Sequence, residues 1–238
     1  MPLPEKVRYL FLDTETTGVN HDDAVVELGW LEVDEDFNFI AEVESLIDPQ
    51  RSIASAASAV HGLVLADLQD SPTIQEFFSV DDESCYGRVI DDPVVLCGHN
   101  IAFDHRFVKP YITNVVQEVC SLRWARRLYP EADNHQLQTL VFELGLPRAT
   151  DAHRVLSDVV TSLHLAKHIC ERTGLTLRQL AEASFEPMLM KTMSFGKHKG
   201  KRFDEIPAPY LRWMVENLAL DIDLKFTVEQ QLNPRKQK

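Results

Sequence analysis

The sequence predicts an α/β protein, a sheet sandwiched by helices, followed by a small basic C-terminal module of α+β character. Three observations carry this. Three β-rich runs come first, strand and helix patterns then alternate, and after Ile169 the pattern resets into a lysine-rich stretch punctuated by glycines.

Residues 7–13 (VRYLFLD) form a short apolar run ending at an acid, as a buried strand would. Val25–Val33 and residues 37–47 are two further strand runs, and the polar 34–36 between them suggests a hairpin. Residues 53–60 and 63–68 read as short helices. Ser71 followed by Pro72 predicts a helix start with proline at the first helical position. Residues 81–92 read as an irregular polar connection. Residues 93–97 are a brief strand and 102–111 a helix. Val115–Cys120 is another strand, with helices at about 122–129 and 136–144. Residues 155–169 are the clearest amphipathic helix, with Val155, Leu156, Val159, Val160, Leu163, Ala166 and Ile169 on one face. A short helix at Leu177–Ala183 leads to the lysine-rich stretch, and a final helix is expected at about 210–217. These features place one unit at 1–175, a linker at about 176–186 and the module at 187–238.

Apolar residues are 45% of the chain, ordinary for a globular protein, and no run approaches the ~18 apolar residues that span a bilayer. The N-terminus lacks the features of a signal peptide, and Cys85, Cys97, Cys120 and Cys170 are too scattered for a disulfide or metal framework. A cytoplasmic location, with no membrane association, is the expectation. The net charge of −13 is at odds with a partner made of phosphates, but the average hides a division. Residues 1–100 hold 21 acids against 4 Lys/Arg, and residues 101–238 hold 16 against 20.

Asp13 and Glu15 stand two apart at a strand end, so their carboxylates share a face. They are either solvated acids or ligands of a divalent cation, which would relieve their mutual repulsion. Asp104 follows the strand at 93–97, within Gly98-His-Asn-Ile-Ala-Phe-Asp104. It fits a helix N-terminus or a ligand site at a strand end. Asp158 lies on the long helix between Leu156 and Val159 and needs a partner, an arginine or a metal. His153 is five residues earlier, which is not a same-face helical spacing, so it must lie at or before the helix start. A histidine titrates near neutrality and suits a general base, but the chain has 9 histidines and chemistry alone does not single this one out.

The ordered set is more specific than its parts. Leu12-Asp-Thr-Glu-Thr-Thr-Gly18, Val60-His-Gly62, His99-Asn-Ile-Ala-Phe-Asp104 and His153-Arg-Val-Leu-Ser-Asp158 together resemble the motifs of the DEDDh exonuclease family, relatives of the proofreading subunit of bacterial DNA polymerase III. The likeness covers roughly residues 7–170. Cys120-Ser-Leu-Arg-Trp-Ala-Arg-Arg-Leu-Tyr-Pro130 and Ser194-Phe-Gly-Lys-His-Lys-Gly-Lys-Arg-Phe203, followed by Tyr210-Leu-Arg-Trp213, are similar to the bacterial exodeoxyribonuclease X branch of that family, and this is what points to DNA.

The resemblance implies a ribonuclease H-like fold with a mixed sheet of about five strands. It implies 3′→5′ hydrolysis of DNA to nucleoside 5′-monophosphates and a role in DNA repair. Asp13, Glu15, Asp104 and Asp158 would hold two Mg²⁺ or Mn²⁺ ions, and His153 would take the proton of the attacking water. All five positions match. The polymerase subunit has Asp-Thr where this chain has Cys120-Ser121, which touches none of them. The substrate would be DNA with a free 3′ end, single-stranded or a frayed duplex. An RNA-trimming exonuclease or oligoribonuclease of the same fold shares all five residues, and a non-catalytic adaptor is the rival from another class.

Thr14, Gly18, Val19, His99 and Asn100 are candidate substrate contacts, Val19 by packing on the terminal base. An ordinary turn explains Gly18 and Val19 equally well, and Asn100 also fits a helix cap. Arg123, Arg126 and Arg127 fit phosphate contacts or ion pairs with the acidic half. Lys191, Lys197, Lys199, Lys201 and Arg202 place five cations and no acid within residues 191–202, with Gly196 and Gly200 permitting a tight turn. They are expected to meet a DNA backbone, the alternative being a solvated hairpin tip. Phe195, Phe203, Leu211, Trp213 and Met214 are read as the module's core rather than as platforms for stacking bases.

Overall fold

The computed structural model describes residues 2–79, 92–147, 154–218 and 220–233. His153 and nearly all of the connection expected at 81–92 lie outside the described residues.

Five strands form one mixed sheet: β1 (Arg8–Thr16), β2 (Val25–Val33), β3 (Phe39–Leu46), β4 (Val94–Gly98) and β5 (Val115–Cys120). Their order is β3-β2-β1-β4-β5, antiparallel from β3 to β1 and parallel from β1 to β5. The fold class read from the sequence is therefore the observed one. The boundaries differ where local chemistry overrides the apolar pattern. β1 continues past Asp13 to Thr16, because its polar Thr-Glu-Thr end still pairs with β2, Glu15 standing opposite Glu27. β3 begins at Phe39 rather than 37, because Phe37 takes φ 64° in the turn, where Asp34 accepts from the N–H groups of Asp36 and Asn38.

Helices α1 (Ser55–His61), α2 (Ile74–Ser79), α3 (Ala102–Val108), α4 (Ser121–Leu128), α5 (Leu137–Leu144), α6 (Val155–Thr173) and α7 (Leu177–Ala183) surround the sheet. The stretch at 65–68 is a 3-10 turn. α2 does not start at Pro72: Thr73 forms a reciprocal cap with Glu76, each bonding the other's backbone N–H, and this sets the start at Ile74. α3 stops at Val108, three residues short of the expected end.

Period-two alternation builds two cores, one on each sheet face. Tyr9, Phe11, Leu31, Val33, Val95 and Cys97 pack against Val159, Leu165, Ala166 and Ile169 of α6. Leu10, Leu12, Leu28, Trp30, Val94 and Leu96 form the second core with Phe77 and Ile101. Phe11 and Trp30 are at most 1% exposed, and burial of each such side chain contributes about 2–3 kcal/mol. The buried stripe of α6 is rotated from the expected one: Ser162, Leu165 and Cys170 are in it, while Leu156, Val160 and Leu163 are half-buried at its edge. Close approach of α6 requires Gly29 on β2, where a Cβ would lie 2.5 Å from Val155 Cγ1.

The expected linker forms α7, and Leu177, Leu180, Ala181 and Met188 sit in the first core. A third core follows, of Met193, Phe203, Ile206, Leu211, Met214, Leu224 and Val228. It is built on α8 (Ala208–Asn217) and on α9 (Ile222–Leu232), a helix not expected from sequence. The module's β character is one isolated bridge, Thr192–Arg202. Phe203, Leu211 and Met214 are core as expected, but Phe195, in the turn before α8, is 41% exposed and Trp213, on α8, is 46% exposed.

The third core is fastened to the sheet by Arg123 of α4, whose acidic partner lies on α9 and not in the acidic half. Its Nε and Nη2 donate to Asp223 at 2.6 and 2.7 Å, and Asp223 also accepts from Met188 N–H. Burial opposes the Arg123 charge, but the Asp223 carboxylate outweighs it and holds the guanidinium pKa above its ordinary value. Removing one partner of a buried pair costs about 3 kcal/mol or more. Arg123→Ala is therefore expected to lower the melting temperature by several degrees and to expose residues 188–233 to limited proteolysis; a variant that melts and digests like wild type would contradict this.

Candidate active site

The acidic site is a continuation of the first core. On the sheet face that carries α6, the odd positions of β1 run Tyr9, Phe11, Asp13, Glu15, and those of β2 run Val33, Leu31, Gly29, Glu27. The face changes from apolar to acidic along both strands. α6 crosses it with Asp158 in its first turn, and Asp13, Glu15 and Asp158 each present an oxygen within 4.8 Å of the others.

Asp104 joins from α3. It is 3% exposed, and one carboxylate oxygen accepts from both Thr14 N–H (3.0 Å) and Thr14 Oγ1 (2.7 Å). Thr14 lies between Asp13 and Glu15, so this fixes Asp104 beside them. The four acids expected to converge do so, three as a tight trio and the fourth tied to their strand.

Such a group cannot hold its charges alone. Burial, then repulsion from Asp104, Glu15 and Asp158, pushes Asp13 well above the ordinary carboxylate range. Burial, then Asp158, Glu27 and Asp104, raises Glu15 to about 8. Burial raises Asp104 to about 7 against the bonds from Thr14. Oxygen donors, closely spaced and electrostatically unsatisfied, fit hard divalent cations.

Sequence reasoning missed the groups that organise this end of the sheet. Glu27 is fully buried, and Arg154, immediately before α6, donates to it from Nε (3.0 Å) and Nη2 (2.7 Å). The only signal was position: Glu27 is an acid on the odd face of a strand otherwise apolar there. Gln138 Nε2 donates to Asp158 Oδ1 at 2.8 Å. Asp23 accepts from Thr17 Oγ1 (2.9 Å) and Asn20 N–H (2.8 Å) and shapes the loop after β1. His61 is buried, accepts from Leu63 N–H at Nδ1, and is held below its ordinary pKa by burial.

The candidate substrate contacts divide. Thr14 is buried and occupied by Asp104. His99 is also engaged: Nδ1 meets Ser121 Oγ at 2.9 Å, Nε2 meets the His135 carbonyl at 2.8 Å, and burial lowers its pKa to about 4. Gly18 is half-buried against Asp23, whose Oδ2 would lie 2.6 Å from an added Cβ. Val19 is 77% exposed at the loop tip, its carbonyl held by Arg106 at 3.0 Å. Asn100 is exposed with φ 65°. Beside Asp158 opens a cleft of about 620 Å³, lined by Gln138, His99, Asn100, Arg126, Ser194 and Lys199. Of the other basic residues, Arg127 lies over Trp124, Lys197 over Tyr210, and Arg202 pairs with Asp204 at 2.9 Å.

Fold and site together define a ribonuclease H-like protein with a carboxylate cluster that could hold a metal ion. The chain belongs to the exonuclease family: the family model described as Exonuclease (RNase_T) matches residues 10–166. It is accordingly a nuclease whose domain is metal-dependent. Exodeoxyribonuclease 10 of Escherichia coli (strain K12) is 29% identical over 228 residues, 93% of this chain and 97% of the relative. The PolC-type DNA polymerase III of Bacillus subtilis (strain 168) is 28% identical over 68% of this chain and 11% of its own length. A solved exonuclease X in complex with 5′ overhanging duplex DNA superposes with TM-score 0.59 and 26% identity, covering 75% of this chain and 99% of that one. E. coli exonuclease I in complex with a dT13 oligonucleotide shares the fold at TM-score 0.56 and 19% identity, over 71% of this chain and 42% of that one. A second family model, named for a quorum-sensing-regulated virulence factor, matches residues 181–218.

Proposed function

We propose that this protein is a 3′→5′ exodeoxyribonuclease that releases nucleoside 5′-monophosphates from DNA ends, with a role in DNA repair. The convergence of Asp13, Glu15 and Asp158 at the sheet end, with Asp104 tied to Thr14 beside them, carries the reading. The relatives whose names specify DNA support the substrate. Residues 1–175 would be the exonuclease domain and residues 187–238 a small basic C-terminal module.

Two Mg²⁺ or Mn²⁺ ions held by these four carboxylates would lower the pKa of the attacking water and offset charge on the leaving 3′ oxygen. The rest falls to the chain. Asp13, crowded by the other three carboxylates, would be central to holding the ions. Gln138 orients Asp158 by its hydrogen bond. Arg154, braced on Glu27, holds the chain next to His153, which would take the proton of the water. Val19 would pack on the terminal base, Asn100 would meet the backbone beside it, and Gly18 and His99 would support that wall. The substrate is a single strand or frayed duplex with a free 3′ end. The three described cysteines are free, in keeping with a cytoplasmic protein, and no described helix is long and apolar enough to cross a membrane.

The test is the product ladder from 5′-end-labelled DNA and RNA of one sequence. The expected result is stepwise shortening of DNA from the 3′ end, stopped by EDTA and restored by Mg²⁺ or Mn²⁺. Preferential shortening of RNA would move the reading to an RNA-trimming enzyme, and no shortening with either metal would remove it.

A further inference from the structure

The C-terminal module shares a wall with the catalytic cleft. Ser194 and Lys199 line the same cavity as Asp158, with Arg126 of α4. Both cations face His135: burial is the largest cause of its lowered pKa, and the charges of Arg126 and Lys199 add to it. Between Ser194 and Lys199 the backbone doubles back. Met193 N–H donates to the Lys201 carbonyl at 2.8 Å, Gly200 N–H donates to the Met193 carbonyl at 2.8 Å, and Gly196 and Gly200 take φ 68° and 80°. The result is a tight tip that presents residues 195–199.

This tip carries an unusual surface. Lys197 Nζ lies 4.6 Å from the centre of the Tyr210 ring, and Tyr210 stacks on Trp213 at 5.6 Å and 27°. Phe195 and Trp213 are both more than 40% exposed, although the module's core closes without them. Large aromatic faces left in water beside lysines form the combination that holds single strands, bases on the rings and phosphates on the cations. The chain as a whole is strongly anionic, so attraction of a polyanion has to be local, and residues 191–202 have no acid. Arg202 is turned away into its pair with Asp204, so the platform is narrower than the run of basic residues.

We propose that the module is a single-strand platform: Lys199 at the lip of the cleft, continued by Lys197, Tyr210 and Trp213, takes the stretch of DNA 5′ to the nucleotide being removed. This rests on the exonuclease reading and sets how much of the strand the protein grips. Partners of this chemistry are extended, unpaired oligonucleotides rather than closed duplex, whose bases have no exposed faces to stack.

The experiment is a fluorescence titration of the full chain in EDTA, where hydrolysis is stopped. Trp30 and Trp124 are buried, so quenching by oligodeoxythymidylate reports Trp213. Wild type is expected to bind a twelve-nucleotide strand more tightly than a three-nucleotide one. Trp213→Ala and Lys199→Glu, the first followed by anisotropy of a labelled strand, should each weaken binding of the longer strand about tenfold. Lys199→Glu should also flatten its salt dependence, and Trp213→Phe and Lys199→Arg should recover most of the loss. Equal wild-type affinity for both lengths, or variants that bind the longer strand like wild type, would overturn the platform. Mononucleotide release by wild type with Mg²⁺ is read separately: its absence sinks the exonuclease reading and leaves the binding result standing.

Discussion

Asp13→Asn and Asp158→Asn are each expected to lower mononucleotide release by at least about a thousandfold while the protein stays folded. The loss follows from geometry. Asp13, Glu15 and Asp158 meet within 4.8 Å, and the amide that replaces a carboxylate keeps the volume and removes the charge that binds a cation. The same substitutions should stabilise the metal-free protein. Asp13 is crowded by the charges of Asp104, Glu15 and Asp158 in surroundings that already disfavour ionisation, and an amide relieves the repulsion. A gain of order 1 kcal/mol corresponds to roughly 2–4 °C in a chain of this size. Activity assays and melting curves in EDTA read both effects, and a variant that is both inactive and less stable in EDTA would mean the residue is structural. His153→Ala should lose activity as well, with Mn²⁺ binding retained.

The second large effect is a reversed dependence of stability on pH. Carboxylates that are paired in a folded protein usually have lowered pKa values and stabilise as pH rises. Here Glu15 is raised from 4.5 to about 8 and Asp104 from 3.8 to about 7. Between their ordinary and raised values the folded state binds more protons than the unfolded chain, so stability falls as pH rises through that window. In EDTA the melting temperature should therefore drop between pH 5 and pH 8, by roughly 5 °C for a loss of about 2 kcal/mol. Mg²⁺ should recover most of the drop, because it binds the ionised carboxylates. A melting temperature that is flat or rising over this range in EDTA would contradict the electrostatics of the site.

Much of this was legible in the residues. The alternation in β1 placed Asp13 and Glu15 on one face, and the helical period around Asp158 placed it at the edge of a buried stripe. The order of four short motifs then supplied what none of them carried singly. Other features depend on distant parts of the chain meeting. Glu27 is one acid among many in an acidic half until Arg154, far along the chain, closes on it. Arg123 belongs to a cluster of arginines whose partners are invisible until α9 brings Asp223 beside it. α9 does not show in the sequence as a helix because Ile222, Leu224, Phe226 and Val228 alternate with polar residues at a strand-like period of two. Thr14 and His99 stand in motifs that suggest substrate contacts, yet their side-chain polar atoms are spent on Asp104 and on Ser121 and His135. Phe195 and Trp213 were assigned to a core because large aromatics usually are buried, and the structure leaves them at the surface.

Electron paramagnetic resonance of Mn²⁺ titrated into the wild-type chain and into Asp13→Asn tests the carboxylate centre most directly. The expected result is two bound ions per wild-type chain and a clear loss of binding in the variant. Wild type that leaves Mn²⁺ free in solution, or a variant that takes up as much as wild type, would contradict the assignment of these side chains to a metal centre.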